Sequence, residues 1–146
     1  MSTKKRFDRE LFDEYDKNAR KWTTQFLESI GMEVREHPNR YAQDLIAKDA
    51  LEEEYLIECE VKAVWKSHEF PYDNVQLPFR KKKFFTDVTK FFIWNKQGTR
   101  AATFWAKDIK ELIPVEVKNR YVYSGELFFQ VPLDLVTFIE ASSSED

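Results

Sequence analysis

Three charged side chains stand at alternate positions within the stretch LIECEVKAVWK, residues 56 to 66. Glu58, Glu60 and Lys62 alternate there with apolar residues. Because successive side chains of a β-strand point to opposite faces, a strand here carries two carboxylates and an ammonium on one face and apolar side chains on the other. Such a face either lies in water and forms ion pairs with neighbouring strands, or it performs chemistry.

A further acid, Asp44, belongs to the preceding predicted strand. Adjacent antiparallel strands lie about 4.8 Å apart, so Asp44 can approach Glu60 and Lys62. Two carboxylates at this separation suit a hard divalent cation with oxygen ligands, such as Mg²⁺. A lysine beside them can orient a water or stabilise the negative charge that develops on a phosphate. Together the three residues predict a site that cleaves phosphodiester bonds.

Three neighbours of this site have structural interpretations as well as functional ones. Glu58 is either an outer ligand of the metal or an acid paired with a lysine. The single cysteine, Cys59, lies on the apolar side of the strand and is predicted to be a core residue, since one thiol builds neither a disulfide framework nor a zinc site. Trp65 either stacks on a nucleic-acid base or packs in the core.

The elements that must position these residues follow from periodicity and from turn residues. Apolar residues at spacings of three and four predict a long amphipathic helix that ends at Gly31, and alternating stretches predict strands. In chain order we expect a helix at 6–30, strands at 32–37, 40–47 and 55–65, a helix from about Pro78, strands at 91–95 and 100–106, and a short helix at 107–113. Residues 121 to 139 are then expected to form one or two further short strands, or a strand and a capping segment. We expect a single domain over 1–140 and a disordered tail at 141–146.

The segments QDLIA, residues 43 to 47, and ECEVK, residues 58 to 62, resemble the motif of the PD-(D/E)XK nuclease superfamily. The resemblance covers roughly residues 8 to 95 in the order of elements. It implies an α/β fold with a restriction-endonuclease-like core: a helix, a three-stranded meander, a helix, and further strands in a mixed sheet. Gln43 replaces the proline of the idealised motif.

The resemblance also implies roles for individual residues. Asp44 and Glu60 bind the metal, and Lys62 is the catalytic lysine, so these three form the catalytic set. Members of the superfamily often carry another metal-site acid in the first helix. Asp16 is the preferred residue for that role, with Glu14 and Glu28 as alternatives.

A basic segment follows the predicted catalytic strand. FPYDNVQLPFRKKKFF, residues 70 to 85, contains four consecutive cations. Gln76, Arg80 and Lys83 are candidates for binding nucleic-acid phosphates, because arginine offers a forked pair of donors and lysine a point charge. The alternative is a solvated helix face above packed phenylalanines.

These features predict a Mg²⁺- or Mn²⁺-dependent endonuclease that hydrolyses DNA with a metal-activated water. RNA is the alternative substrate, and a catalytically inactive nuclease-fold module that binds nucleic acid or serves in assembly is the alternative function. The lack of a long apolar run and the charged start MSTKKRFDRE predict a cytoplasmic protein that does not contact membranes. The net charge of -3 argues against a surface covered with nucleic-acid-binding charge. The small size is typical of a phage or mobile-element enzyme, and cutting two strands favours a homodimer.

Overall fold

Two β-sheets and one long helix make up the fold of this mixed α/β protein. A computed structural model describes residues 9–119 and 122–141. The helices are α1 (Arg9–Ser29) and α2 (Ala106–Ile109), and a 3-10 helix over Phe79–Phe84, named the basic 3-10 helix, contains the four cations; a second 3-10 helix spans Leu133–Leu135. The strands are β1 (Glu33–Glu36), β2 (Leu45–Lys48), β3 (Glu54–Val61), β4 (Asn74–Pro78), β5 (Thr89–Trp94), β6 (Arg100–Trp105), β7 (Val115–Asn119), β8 (Val122–Pro132) and β9 (Thr137–Glu140).

The large sheet has six strands in the order β1-β2-β3-β5-β6-β9. Its first three strands form an antiparallel meander, as predicted, and β5 then pairs in parallel with β3. A parallel neighbour requires a crossover connection, because the chain must return to the same end of the sheet. Here β4 and the basic 3-10 helix form that crossover.

The helix predicted from about Pro78 is present as a short 3-10 helix over Phe79–Phe84, and strand β4, which precedes it, was not predicted. Val75 and Leu77 alternate with partly buried residues and are themselves fully buried, which is the period of a strand. Pro78 is extended, with φ -58° and ψ 140°, and only a six-residue 3-10 helix follows it. The apolar alternation before the proline thus forms a strand, and the proline stands directly before the first helical turn.

Helix α1 covers one face of the large sheet. Ala19 and Leu27 are buried against a cluster that includes Ile57, Cys59 and Phe92 of the sheet. Cys59 is 2 % exposed, so its predicted place in the core is confirmed. The apolar side of β3 thus faces α1, and its charged side faces the opposite way.

The second sheet, ordered β4-β8-β7, covers the opposite face. The core on this side contains Trp65, Phe91, Phe104 and Phe129 among other buried residues. Trp65 is fully buried, and its indole N–H donates to the carbonyl of Glu69 at 3.0 Å. The core interpretation of Trp65 is therefore confirmed, although β3 ends before it and a turn carries the tryptophan inward.

Other bounds differ modestly from the expectations. The second predicted strand begins at Leu45 rather than at residue 40, and the hairpin between β5 and β6 turns at Gly98 as predicted. Gly98 has φ +74°, and a Cβ added there would overlap the indole of Trp22. Strand β7 was not predicted, because five residues of alternation are too few to distinguish a strand from a loop. The predicted tail falls outside the described residues except for Ala141.

No helix in the described ranges combines the length and the apolar character that crossing a lipid bilayer requires.

Candidate active site

The candidate site lies where β3 continues beyond the start of its neighbour β2. The β2–β3 ladder begins with Leu45 opposite Ile57, so the last residues of β3 are flanked on that side by a turn instead of a strand. This gap forms a cleft of about 250 Å³ between α1, β3 and the basic 3-10 helix. We name it the acidic notch; it is lined by Tyr15, Asp16, Glu58, Cys59, Glu60, Val61, Arg80 and Lys81.

Asp44 is held at the edge of the notch by the backbone of β3. It immediately precedes β2, and its Oδ2 accepts a hydrogen bond from the N–H of Cys59 at 3.0 Å. The carboxylate thus replaces the strand partner that the N–H of Cys59 lacks. Burial raises the pKa of Asp44, the hydrogen bond from Cys59 opposes this, and the negative charge of Asp16 adds to it.

Glu58 is the most deeply buried acid of the notch, with a side chain 7 % exposed. The last pair of the β2–β3 ladder is Leu45 opposite Ile57. One step further along the same register, Asp44 lies opposite Glu58. Burial, followed by the negative charge of Asp44, raises the pKa of Glu58 to about 7, while Lys81 opposes the rise. Two carboxylates close together cannot both ionise freely unless a cation joins them.

Lys81 supplies such a cation. Its Nζ lies 2.6 Å from Oε2 of Glu58 and 3.7 Å from Oε1 of Glu60. Burial alone would lower the pKa of Lys81, but the charges of Glu58 and Glu60 outweigh it and raise the pKa. The pairing with a lysine that we considered for Glu58 is therefore present, and it joins β3 to the basic 3-10 helix.

One oxygen of Glu58 has no hydrogen-bond donor, and the carboxyl group that interacts with the Glu58 side chain is that of Asp44. Oε1 is buried and accepts no hydrogen bond from any residue of the described chain. A buried carboxylate oxygen without a donor is costly, so this atom calls for a proton or a cation.

Glu60 and Lys62 lie at the end of β3. The side chain of Glu60 is 34 % exposed, and Lys62 stands one residue past the strand, where its backbone N–H donates to the carbonyl of Trp94 at 2.8 Å. Nζ of Lys62 lies 5.4 Å from the centre of the Tyr72 ring. Burial lowers the pKa of Lys62, against the opposing charge of Glu60. The ammonium of Lys62 is thus partly desolvated and close to an acid of the notch.

The helix acid preferred from the sequence, Asp16, lines the notch from α1. It forms an ion pair with Arg20 at 2.7 Å and interacts electrostatically with Asp44. Its two alternatives are exposed on α1, and Glu14 lines a separate groove between α1 and β1, while Glu28 lies near the end of the helix. Of the three, Asp16 alone lies among the residues that line the notch.

The three predicted phosphate-binding residues are spread apart. Arg80 lines the notch, and its Nη1 lies 3.1 Å from Oε2 of Glu126. Lys83 is exposed, and its Nζ stands 5.1 Å from the ring of Phe84. Gln76 pairs with Gln130 in the second sheet and is not part of the notch lining. The structure brings only Arg80 to the acids.

Sequence reasoning gave Lys81 no role of its own and left Glu58 a minor one. The register of β2 and β3 would have placed Glu58 beside Asp44, because Glu58 follows Ile57, Asp44 precedes Leu45, and Ile57 lies opposite Leu45. That register could not be known from the sequence. No local signal separates Lys81 from its lysine neighbours, because its contact with Glu58 depends on the crossover. The spacing of residues within one segment does not predict a contact between two different segments.

The acids at the notch have the oxygen ligands that a divalent cation requires, but they are not arranged around a common point. Within residues 9–119 and 122–141, no group of three or more His, Cys, Asp or Glu side chains is arranged to hold a metal ion. The acids instead surround the ammonium of Lys81. Their chemistry still suits a hard cation, since Asp44, Glu58 and Glu60 offer only oxygen ligands and Oε1 of Glu58 has no donor.

The comparisons with known proteins leave the family open. No protein family, no curated protein and no solved structure matches this chain. Membership of the PD-(D/E)XK superfamily therefore stays a prediction that rests on the motif residues and their arrangement.

Proposed function

We propose that this protein is a metal-dependent endonuclease of the PD-(D/E)XK type that hydrolyses phosphodiester bonds in DNA. The observation that carries the proposal is that Glu58 and Glu60 line one notch, with Asp44 next in register to Glu58 and Lys62 one residue past the same strand. These are oxygen ligands beside a desolvated ammonium, which is the combination that phosphodiester cleavage needs.

The order and pairing of the elements support this proposal. A helix, three antiparallel strands, a crossover and a parallel strand follow one another here, which matches the element order of the superfamily core. The basic 3-10 helix stands where that core has its second helix. The finer assignment to a restriction-endonuclease-like fold is part of the proposal.

The proposed metal ligands are Asp44, Glu58 and Glu60, with Asp16 as a more distant acid. Mg²⁺ or Mn²⁺ held by them would supply a Lewis acid that activates water for attack on phosphorus. The proposal moves Glu58 from the edge of the site to its centre, because Glu58 is the acid next to Asp44 and has a buried oxygen without a donor.

In this proposal three cationic side chains have different roles. Lys62, partly desolvated at the strand end, donates hydrogen bonds to an oxygen of the scissile phosphate and offsets the charge that develops there. Arg80 opens into the same notch and presents a fork of donors to a neighbouring phosphate. Lys81 pairs with Glu58 and Glu60 and would share these acids with a divalent cation.

A cleavage panel tests the proposal. Supercoiled plasmid, linear duplex, single strand, four-way junction and RNA are incubated with Mg²⁺, Mn²⁺ or EDTA, and wild type is compared with Lys62→Ala. The matched control is Lys66→Ala, which removes an exposed lysine four positions on. We expect metal-dependent cutting of a DNA substrate that Lys62→Ala lowers by about 100-fold and Lys66→Ala leaves unchanged.

Cutting that persists in EDTA, or that Lys62→Ala leaves intact, contradicts the proposal. Preferential cutting of RNA would keep the chemistry and change the substrate.

A second candidate, a catalytically inactive module, is favoured by one observation. The 2.6 Å pair between Lys81 and Glu58 gives the buried acid a cation without any metal. Calorimetric titration with Mg²⁺ and Mn²⁺ separates the two candidates. An endonuclease binds either ion at millimolar concentration or tighter and loses the binding in Asp44→Asn, whereas an inactive module shows no saturable binding.

A further inference from the structure

A second cleft, of about 320 Å³, lies on the α1 face of the large sheet. It opens between the end of α1 and strands β3, β5 and β6, and no residue lining it lines the acidic notch. We name it the aromatic cleft; the residues that define it here are Phe26, Ile30, Tyr55, Lys90, Phe92 and Trp105. Its volume is at the lower end of the range for small-molecule sites.

The walls of this cleft are mainly apolar. The rings of Tyr55 and Trp105 lie 5.7 Å apart, and those of Phe26 and Phe92 lie 6.1 Å apart. Ile30 stands at the cleft with 59 % of its surface exposed. Flat aromatic walls and an open apolar edge suit a ligand with a flat apolar body.

Among the described residues that line the cleft, the one cation is Lys90. It lies opposite Trp105 in the β5–β6 ladder, and its Nζ is 5.0 Å from the Trp105 ring and 5.6 Å from the Phe92 ring. Within the described residues it forms no ion pair with a carboxylate. Burial lowers the pKa of Lys90, with no charged neighbour to oppose it.

The acid that lines the cleft, Asp49, is engaged elsewhere. Its Oδ1 accepts the backbone N–H groups of Leu51 and Glu53, and its Oδ2 accepts the hydroxyl of Tyr55 at 3.3 Å. These contacts hold the turn between β2 and β3 together. Lys90 is thus left with the faces of two rings as its partners, which compensate the ammonium only in part.

An anion in the aromatic cleft would complete this arrangement. A half-buried ammonium without a counter-charge is expensive in a position where an apolar side chain would pack well. Most of the ligand surface would meet aromatic and aliphatic side chains, and one group would meet Lys90. The size of the cleft limits the body to about that of a substituted indole or naphthalene ring.

We propose that the aromatic cleft binds a small aromatic carboxylate, with Lys90 paired to the carboxylate and the rings of Tyr55 and Trp105 against its body. This site is independent of the endonuclease proposal, since none of its residues belongs to the acidic notch.

Three matched probes test the site by calorimetric titration at pH 7: naphthylacetate, naphthylacetamide and naphthylethylamine. They share the ring and differ in charge. We expect wild type to bind the carboxylate at least roughly tenfold more tightly than the neutral amide, and to bind the amine more weakly than either. This comparison uses unaltered protein and therefore does not depend on how any variant folds.

Two variants then locate the charge. Lys90→Met should lower carboxylate affinity to that of the amide and leave the amide unchanged. Lys107→Met is the matched control, because Nζ of Lys107 lies 5.5 Å from the same Trp105 ring, but Lys107 does not line the cleft. The proposal is overturned if wild type binds carboxylate and amide equally, if no probe binds saturably, or if Lys107→Met costs as much affinity as Lys90→Met.

Discussion

Among single residues, Glu58 links the stability of the protein to its proposed chemistry. It is an acid in the interior of a strand, with an acid and a lysine as its electrostatic neighbours. Asp44 and burial favour the neutral form of Glu58, and Lys81 favours the charged form. The charge of Glu58 therefore depends on protons and on nearby cations.

The stability of the metal-free protein should depend on pH through Glu58. The folded pKa is about 7 and the ordinary value is 4.5, so between these values the folded state binds more protons than the unfolded state. Stability contributed by Glu58 is thus complete below about pH 4.5 and falls as pH rises to about 7. Urea unfolding in EDTA at pH 5 and pH 8 should show a loss on the order of 1 to 3 kcal/mol from this group.

Glu58→Gln should reduce that loss, because glutamine does not titrate. The control is Glu53→Gln, an exposed acid outside the notch. A variant with the same pH dependence as wild type would show that Glu58 is ionised throughout the range.

Lys81→Met should separate the two uses of the notch. At pH 8 the variant leaves buried carboxylates without their cation, so we expect a loss of about 1 to 3 kcal/mol of unfolding free energy in EDTA. Mg²⁺ should then bind roughly tenfold more tightly than in wild type, since it no longer competes with an ammonium. Chemical denaturation and calorimetric titration measure the two effects.

The neighbouring Lys83→Met is the control for both measurements, because Lys83 is exposed and contacts a phenylalanine ring instead of the acids. Weaker Mg²⁺ binding in Lys81→Met would mean that Lys81 organises the ligands instead of occupying their place.

Between elements, the position of α1 on the sheet depends on a buried polar contact as well as on apolar packing. The indole N–H of Trp94 in β5 donates to Oγ1 of Thr23 in α1 at 2.8 Å, and both residues are fully buried. The ring of Trp22 packs edge-on against Trp94 beside this bond. This contact sets where α1 lies along β5, and α1 in turn carries Asp16 to the notch.

Thr23→Val keeps the shape of the side chain and removes its oxygen. The indole N–H of Trp94 then loses its acceptor in the core, so we expect a loss of about 1 to 3 kcal/mol in unfolding free energy. Guanidinium denaturation followed by tryptophan fluorescence measures it. Thr24→Val, at a partly exposed neighbouring position, should cost less than about 0.5 kcal/mol, and equal losses in the two variants would contradict the role of the Trp94 bond.

For the whole molecule, the net charge of -3 conceals an uneven charge distribution. Arg80 and Lys83 lie on the basic 3-10 helix beside the acidic notch, and both are exposed. A nucleic-acid backbone that reaches the notch would pass this helix. The predicted homodimer remains a prediction at this scale, and sedimentation equilibrium measures it directly.

Replacing Arg80 and Lys83 by alanine should weaken DNA binding uniformly across sequences. It should also lower the magnitude of the slope of log affinity against log salt by about 1 to 2. Fewer counterions are released from the DNA on binding when two phosphate contacts are lost. Fluorescence anisotropy of labelled duplex over a salt series measures the slope. The control is the double variant Lys107→Ala, Lys110→Ala, which removes two exposed cations at α2. An unaltered slope in the Arg80 and Lys83 variant would show that the basic 3-10 helix is a solvated surface without phosphate contacts.

The sequence by itself determined the local features of this protein. The amphipathic period of α1, the alternation of β3 and the turn at Gly98 depend on neighbours within a few residues, and each is present in the structure. Asp44, Glu60 and Lys62 were grouped for the same reason, because they stand on two strands that were expected to be adjacent in a meander. Strand β4 of the crossover was missed, because its alternating stretch is short and its partner, β8, lies far along the chain.

Only the tertiary structure decided which side chains meet. Glu58 and Lys81 are 23 residues apart in sequence, and Lys90 faces Trp105 across a hairpin whose register had to be known. Such contacts depend on strand register and on the path of the crossover, and these are set by the packing of both faces of the sheet. Periodicity in a single segment carries no information about either, so the central acid of the notch and the cation of the aromatic cleft emerged only from the folded chain.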